Sequence, residues 1–185
     1  MLIQSRARRA ALVLAGAVTL AACGGGADSN AGDSAAAGDA GAAPAAADAG
    51  AAGGSPVAVG EQKYNQICAS CHQATGQGVE GNFPPLAGSE WVTGDPDVPI
   101  SIVLHGLQGE IQVAGRTYNG AMQPWSMMPD EDIAAILTYA RQAWGNSAGP
   151  VTPAQVKAIR DKAGARAAWT AEELKQAYPG AGTKS

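Results

Sequence analysis

Apolar side chains recur with helical spacing in residues 129–144, PDEDIAAILTYARQAW. The segment opens with Pro129 and three acidic residues, which is typical of the first turn of a helix. Positions i, i+3, i+4, i+7 and i+11 then carry the apolar stripe of Ile133, Ile136, Leu137, Ala140 and Trp144. This spacing predicts an amphipathic helix over 129–144 that buries one face.

Three shorter patterns lie upstream of that helix. Residues 60–72 carry Tyr64 and Ile67 three positions apart and predict a helix that runs into CASCH. Residues 99–106, PISIVLHG, predict a second short helix. Residues 110–120, EIQVAGRTYNG, alternate between apolar and polar side chains and contain Ala-Gly and Asn-Gly turn signals. They predict a small β-hairpin.

Residues 150–185 contain two capping-box patterns, Thr152 with Gln155 and Thr170 with Glu173. Apolar residues follow each pattern at helical spacing, so two short helices are predicted in a C-terminal extension. The extension carries a net charge of +3, whereas residues 57–149 carry −6. A basic segment of this kind can contact a partner, but packing on the acidic body is the preferred interpretation.

The first 56 residues have the composition of an export signal and a tether. Residues 1–22 combine a positively charged start with an apolar run too short to cross a bilayer, as in a signal peptide. The run ends in Leu-Ala-Ala-Cys23, which resembles a bacterial lipobox and predicts lipidation of Cys23. An ordinary cleavage site beside a stray cysteine is the alternative. Residues 23–56 are rich in Ala and Gly and predict a disordered tether.

These features predict a lipid-anchored protein on the periplasmic side of a bacterial membrane. The chain has a formal net charge of −4. An acidic surface argues against a nucleic-acid partner and is compatible with a steered encounter with a basic protein.

The chemistry of the chain is concentrated in Cys68-Ala-Ser-Cys71-His72. A C-x-x-C-H motif attaches haem covalently, because each thiol adds to a vinyl group and the histidine is placed to ligate the iron. One covalent haem c is therefore predicted. A redox dithiol usually accompanies a βαβ pattern, which this sequence lacks. A zinc site would need a second ligand pair, and the chain has three cysteines and two histidines in total.

A haem iron in an electron-transfer site takes a second axial ligand, and a thioether raises the reduction potential. Met122 is the favoured ligand because it lies in a loop rich in Gly and Pro, 50 residues after His72. Met127 and Met128 adjoin Pro129, where an apolar side chain more often packs in the core. His105 ends an apolar helical segment, where a hydrogen-bonded structural role is favoured over ligation.

Residues 57–149 resemble the class I c-type cytochromes. The motifs that carry the resemblance are CASCH, GNFPPLAGSEWV, VLHGLQGEIQVAGRTYNGAM and MPDEDIAAILTYAR. The similarity is greatest to cytochromes that accompany bacterial dehydrogenases or are fused to nitrite reductases. It implies an all-α fold with a small β-hairpin, to which residues 150–185 add a C-terminal helical extension.

The resemblance also implies roles for individual residues. Cys68 and Cys71 would form the thioethers, His72 would be the proximal ligand and Met122 the distal one. The Pro84-Pro85 segment would supply a backbone carbonyl to the second ring nitrogen of His72. Many relatives have proline directly after the methionine, whereas Gln123 intervenes here. Three aromatic side chains could line the haem pocket or belong to the core: Trp91, Tyr118 and Trp125.

The function expected from these observations is one-electron transfer between extracytoplasmic redox proteins of a respiratory chain, without catalysis. A dehydrogenase or quinol-oxidising complex would donate electrons, and an oxidase or reductase would accept them. Two alternatives remain open. The haem could be an internal relay in a larger complex, or an open iron site could act as a peroxidase or bind a small gas.

Overall fold

The computed structural model of the chain describes residues 55–183. Cys23, the predicted signal peptide and nearly all of the predicted tether lie outside the described residues. The described part is helix-rich and contains a two-stranded antiparallel sheet. Within 55–183, no helix has the length and apolar character needed to cross a membrane. The elements in chain order are α1 Pro56–Ile67, α2 Ala69–His72, α3 Glu90–Thr93, α4 Asp97–His105, β1 Leu107–Val113, β2 Arg116–Met122, α5 Asp130–Gln142, α6 Pro153–Ala163 and α7 Ala171–Ala177.

The helix predicted over 60–72 begins earlier and is divided in two. The hydroxyl of Ser55 accepts a hydrogen bond from the backbone N–H of Ala58, and Pro56 occupies the first turn. Both features favour a helix start at this point, four residues before the predicted one. Cys68 separates α1 from the single turn of α2, which ends at His72.

Helices α1 and α5 cross at very short range. A Cβ atom added to Gly60 would overlap the backbone carbonyl of Ala135, so only glycine permits this approach. Tyr64 of α1 lies 5.5 Å from Tyr139 of α5 and 4.9 Å from Trp144, between ring centroids. Tilted aromatic pairs at these distances add to the stability gained by burial alone.

The helix predicted over 129–144 is largely confirmed as α5, but its predicted end is wrong. The helix stops at Gln142, and Trp144 follows in a left-handed conformation with φ of 55°. The four earlier members of the apolar stripe are buried as expected. Trp144 still packs against the α1–α5 interface, where tertiary contacts rather than helical periodicity place it.

The predicted hairpin is present, with strands longer than the pattern suggested. Its turn is at Ala114-Gly115, whereas Asn119-Gly120 lies inside β2. In the antiparallel register, Leu107 pairs with Met122. The strand ends therefore bring Met122 beside the end of α4.

Both helices predicted in the C-terminal extension form, and both capping boxes are made. Val156 and Ile159 of α6 are buried against α4 and α5. Leu174 of α7 joins a second buried cluster with side chains of the hairpin. The backbone of Trp169 also exchanges hydrogen bonds with Gly106 and Gln108 at the start of β1. The extension is thus part of the core, which supports the packing interpretation.

Candidate functional site

A cavity of about 410 Å³ lies between α2, α4, α5 and the hairpin. Cys68, Cys71 and His72 line it from the N-terminal side, and Met122 lines it from the end of β2. The fold therefore brings all four residues of the predicted haem site to one space, although 50 positions separate His72 from Met122.

The rest of the cavity wall is mostly apolar. No Asp, Glu, Lys or Arg of the described residues lines it. An apolar lining of this kind gives a low local dielectric, which favours a flat, hydrophobic ligand over a hydrated one. The apolar side chains include Ile67, Leu86, Val103, Ile111 and Leu137.

The imidazole of His72 is fixed by a contact within its own segment. Its Nδ1 lies 3.0 Å from the carbonyl oxygen of Pro84, so Nδ1–H donates and the lone pair resides on Nε2. Burial lowers the pKa of His72, and the Pro84 hydrogen bond partly opposes that effect. The expected carbonyl acceptor for Nδ1 is therefore present, and the ring is held as a neutral tautomer suited to binding a metal through Nε2.

The two cysteines of the motif do not resemble a redox dithiol. Burial and the nearby Cys71 raise the pKa of Cys68 to about 11. A redox-active C-x-x-C motif requires a lowered thiol pKa, because the thiolate is the reacting species. Cys68 and Cys71 are instead half-buried thiols at the rim of the apolar cavity.

The structure separates the candidate distal ligands. Four residues were considered as the distal ligand from the sequence, and among the described residues 55–183 only Met122 of these four lines the cavity. Met127 is 94% exposed, and Met128 packs between two core clusters. His105 is buried at the end of α4 and lines a different cavity.

The three aromatic residues considered from the sequence all line the cavity. The indole N–H of Trp91 donates to the carbonyl of Gln112 at 2.7 Å, so this donor is engaged by the backbone. The backbone N–H of Trp125 donates to the carbonyl of Val103 at 2.8 Å. This bond ties the loop after Met122 to α4.

Three residues that position the site were missed from the sequence. Gly106 has φ of 80°, and a Cβ atom there would lie 2.5 Å from the carbonyl oxygen of Met122. Arg160 of α6 donates to the carbonyls of Ser126 and Met128. Asn146 accepts from the N–H of Gly88 and donates to the carbonyls of Leu86 and Ala140. The His-Gly pair at the end of α4 could have identified Gly106 from the sequence. Arg160 and Asn146 act through contacts that no local sequence pattern indicates.

Comparison with known proteins identifies the family. A family model for cytochrome c matches residues 57–144. The chain is 43% identical over 114 residues to cytochrome c-552 of Thermus thermophilus, a match that covers 57% of this chain and 86% of that relative. The chain belongs to the cytochrome c family. The predicted resemblance to class I c-type cytochromes is thereby confirmed.

Other relatives are parts of larger proteins. This cytochrome is 34% identical over 106 residues to the cytochrome c subunit of a quinone-dependent alcohol dehydrogenase from Gluconacetobacter polyoxogenes, of which the match covers 22%. It is 28% identical over 113 residues to the cbb3-type cytochrome c oxidase subunit CcoP of Azospirillum, of which the match covers 38%. Membership of the family identifies the chain as an electron carrier, and relatives of this kind also occur as subunits of redox enzymes.

The family implies a covalently bound haem c, and the residues of the cavity fit it. Cys68 and Cys71 would hold the group through thioether bonds, with Nε2 of His72 available to its iron. The apolar lining suits the macrocycle, and haem supplies one-electron chemistry at the iron when it is bound. We call residues 68–84 the proximal wall, and residues 103–106 with 122–126 the distal wall.

Proposed function

We propose that this cytochrome transfers single electrons through one haem c whose axial ligands are His72 and Met122. The proximal wall holds the His72 ring in its neutral tautomer, and the distal wall supplies a soft thioether. Placement of both ligands in a mostly apolar cavity limits water access and favours the reduced state. The chain's own residues thus set the potential and keep both axial positions filled.

The proposal rests on where the four candidate distal ligands lie in the fold. Met122 shares the cavity with Cys68, Cys71 and His72, whereas Met127, Met128 and His105 lie elsewhere.

An open-site enzyme receives less support. Peroxidase chemistry would require a histidine or arginine over the free face of the iron. Apart from His72, the described residues that line the cavity include neither. The remaining polar side chains of the lining, such as Asn82 and Gln123, are not proton donors of the strength that peroxide cleavage needs.

We further propose that the protein works on the periplasmic side of a bacterial membrane, tethered by lipid on Cys23. Its partners would be a dehydrogenase or quinol-oxidising complex upstream and an oxidase or reductase downstream. The similarity to dehydrogenase and oxidase subunits supports partners of these classes, and it equally suits a haem relay inside such a complex. Copurification from membranes separates a relay from a shuttle, and fractionation of wild type and Cys23→Ser tests the anchor.

The test of the ligand assignment is the visible spectrum of the dithionite-reduced protein with and without carbon monoxide. We expect wild type to show a low-spin spectrum that carbon monoxide leaves unchanged. Met122→Ala should bind carbon monoxide, because removal of the thioether opens one axial position. Met127→Ala is the matched control, since its side chain is exposed, and it should behave as wild type. Carbon monoxide binding by wild type would contradict the proposal.

A further inference from the structure

A second cavity, of about 280 Å³, lies behind the distal wall. It is bounded by the end of α4, by the loop after Met122, and by α6 with the segment that follows it. Its polar side chains are His105, Ser126, Arg160 and Arg166. No carboxylate of the described residues lines it, so the charged side chains of its wall are all cationic.

His105 presents an unsatisfied polar atom beside this cavity. The residue is 7% exposed, and its Nε2 has no hydrogen-bond partner within residues 55–183. The sequence favoured a hydrogen-bonded structural role for His105. Among the described residues, however, Nε2 has no hydrogen-bond partner that would support this role. A buried polar atom without a partner is destabilising, so native proteins rarely retain one without a reason.

The two arginines are held in place by contacts outside the cavity. Arg160 pairs with Asp130 at 2.8 Å and donates to two backbone carbonyls. Arg166 donates through Nε to the carbonyl of Ala167, stacks over the ring of Trp169, and reaches Glu173 through Nη2 at 3.4 Å. Asp130 and Glu173 do not line the cavity. The guanidinium groups are therefore ordered in advance, which reduces the entropy lost when a ligand binds.

We propose that this second cavity binds a small oxyanion of the phosphate or sulfate type. Arg166 and the hydroxyl of Ser126 can donate to its oxygens, and the ring of His105 lines the same wall. Arg160 also lines the cavity, and its ion pair with Asp130 offsets part of its charge. The other side chains of the lining, Leu104, Pro124 and Ala165, are apolar, so the polar contacts come from the residues named above.

The position of this site links it to the haem cavity. Val103 and Trp125 line the haem cavity, whereas their neighbours His105, Pro124 and Ser126 line the anion site. The hydrogen bond from the N–H of Trp125 to Val103 joins the two segments of this shared wall. A bound anion would stabilise the oxidised, more positive cofactor and lower its reduction potential. This linkage rests on the proposed function, but binding itself does not.

Isothermal titration of the oxidised holoprotein with sodium sulfate and sodium phosphate, against sodium chloride at equal ionic strength, tests the site. We expect saturable binding of the oxyanions and none of chloride. Arg166→Gln should weaken binding at least about tenfold, because it removes a charged hydrogen-bond donor to the anion. Ser126→Ala, which keeps every charge, should weaken it by a smaller factor.

Lys162→Gln is the charge-matched control, since this exposed lysine of α6 does not line the cavity. It should bind within about twofold of wild type, because a surface charge outside the site contributes little. If Lys162→Gln weakened oxyanion binding as much as Arg166→Gln, the binding would be a general charge effect and the site would be overturned. The same conclusion would follow if chloride gave the same heats of binding as the oxyanions. A redox titration of the holoprotein in sulfate and in chloride tests the linkage, and we expect a lower potential in sulfate. If the oxyanions bind but the reduction potential does not move, the linkage to the haem cavity is overturned and the site is retained.

Discussion

The proximal and distal walls of the haem cavity are built in different ways. The proximal wall fixes its proposed ligand within one segment, since His72 and the Pro84 carbonyl that orients it are 12 residues apart. The distal wall is built from two separate segments and is supported by a third. Met122 ends β2, Gly106 follows α4, and Arg160 reaches the loop after Met122 from the C-terminal extension.

This difference concerns how each proposed ligand is held. The His72 ring has its own hydrogen bond and lies next to two predicted covalent attachments. No described hydrogen bond orients the side chain of Met122, so its placement depends on how closely the surrounding backbone packs. We therefore expect damage to the distal wall to open the axial position while leaving haem attached, and damage to the proximal motif to remove haem altogether.

The largest effect is expected from the proximal motif. Replacement of both Cys68 and Cys71 by alanine removes the two thiols that would form thioether bonds, so covalently bound haem should be lost completely. Haem staining after denaturing electrophoresis measures this. Met122→Ala serves as the comparison and should keep its covalent haem. Haem staining of the double variant would contradict the role given to the proximal wall.

Gly106→Ala should be the most damaging single change in the distal wall. The new Cβ would lie 2.5 Å from the carbonyl oxygen of Met122, at a φ of 80°. We expect the free energy of unfolding to fall by about 2–4 kcal/mol, combining a positive-φ cost of about 1 kcal/mol with overpacking of about 1–3 kcal/mol. Denaturant unfolding of the holoprotein provides the measurement.

Gly115→Ala is the matched control for that change. Gly115 has nearly the same φ, 77°, but an added Cβ atom would have no neighbour within 4 Å. Only the cost of the positive φ, about 1 kcal/mol, is expected. Equal losses in the two variants would show that the close approach of Gly106 to Met122 contributes nothing.

Arg160→Gln tests whether the C-terminal extension supports the distal wall. The change removes the ion pair with Asp130 and the hydrogen bonds to the carbonyls of Ser126 and Met128. We expect the free energy of unfolding to fall by about 1–3 kcal/mol and the reduced protein to bind carbon monoxide more readily. Covalent haem should be unaffected.

Lys157→Gln controls for loss of a charge on the same helix. Lys157 pairs with Asp161 on the surface, and ion pairs this exposed contribute little to stability. The distal role of Arg160 would be refuted if both variants excluded carbon monoxide as wild type does.

The smallest expected effect is on pH dependence. Burial, Arg166 and Arg160 lower the pKa of His105 below its usual 6.5. Below pH 6.5 the unfolded state therefore takes up a proton that the folded state does not, and the free energy of unfolding falls as the pH is lowered. The slope for one such group is at most about 1.4 kcal/mol per pH unit.

Denaturant unfolding of wild type and His105→Gln at pH 7.5 and pH 5.5, in chloride buffer, measures this slope. The variant should lose less stability than wild type over that interval, because it lacks the group whose pKa is shifted. Parallel losses in the two proteins would assign the pH dependence to other groups.

Much of the fold could be predicted because its signals are local. The stripe of α5, both capping boxes and the alternation of the hairpin each reside in fewer than twenty consecutive residues. The errors occurred where tertiary contacts override such signals. Trp144 leaves the helix that its spacing predicted, because its ring packs between α1 and α5.

The candidate site shows the same division. The sequence by itself determined the proximal wall, since the C-x-x-C-H motif and the nearby prolines are contiguous and their chemistry needs no distant partner. It also ranked Met122 first among the distal candidates. Only the tertiary structure decided which candidates reach the cavity, because Met122, Met127 and Met128 lie within seven residues and have the same chemistry. Met122 lines the cavity, Met127 is exposed and Met128 packs against the core clusters.

The support of Met122 by Gly106 and Arg160 was also decided by the tertiary structure alone. A glycine is required at 106 because the backbone of residue 122 passes against it, and Arg160 acts because α6 packs on α4 and α5. The hydrogen bonds of Arg160 join residues 32 and 34 positions apart, and their energies depend on distances that only the folded chain sets.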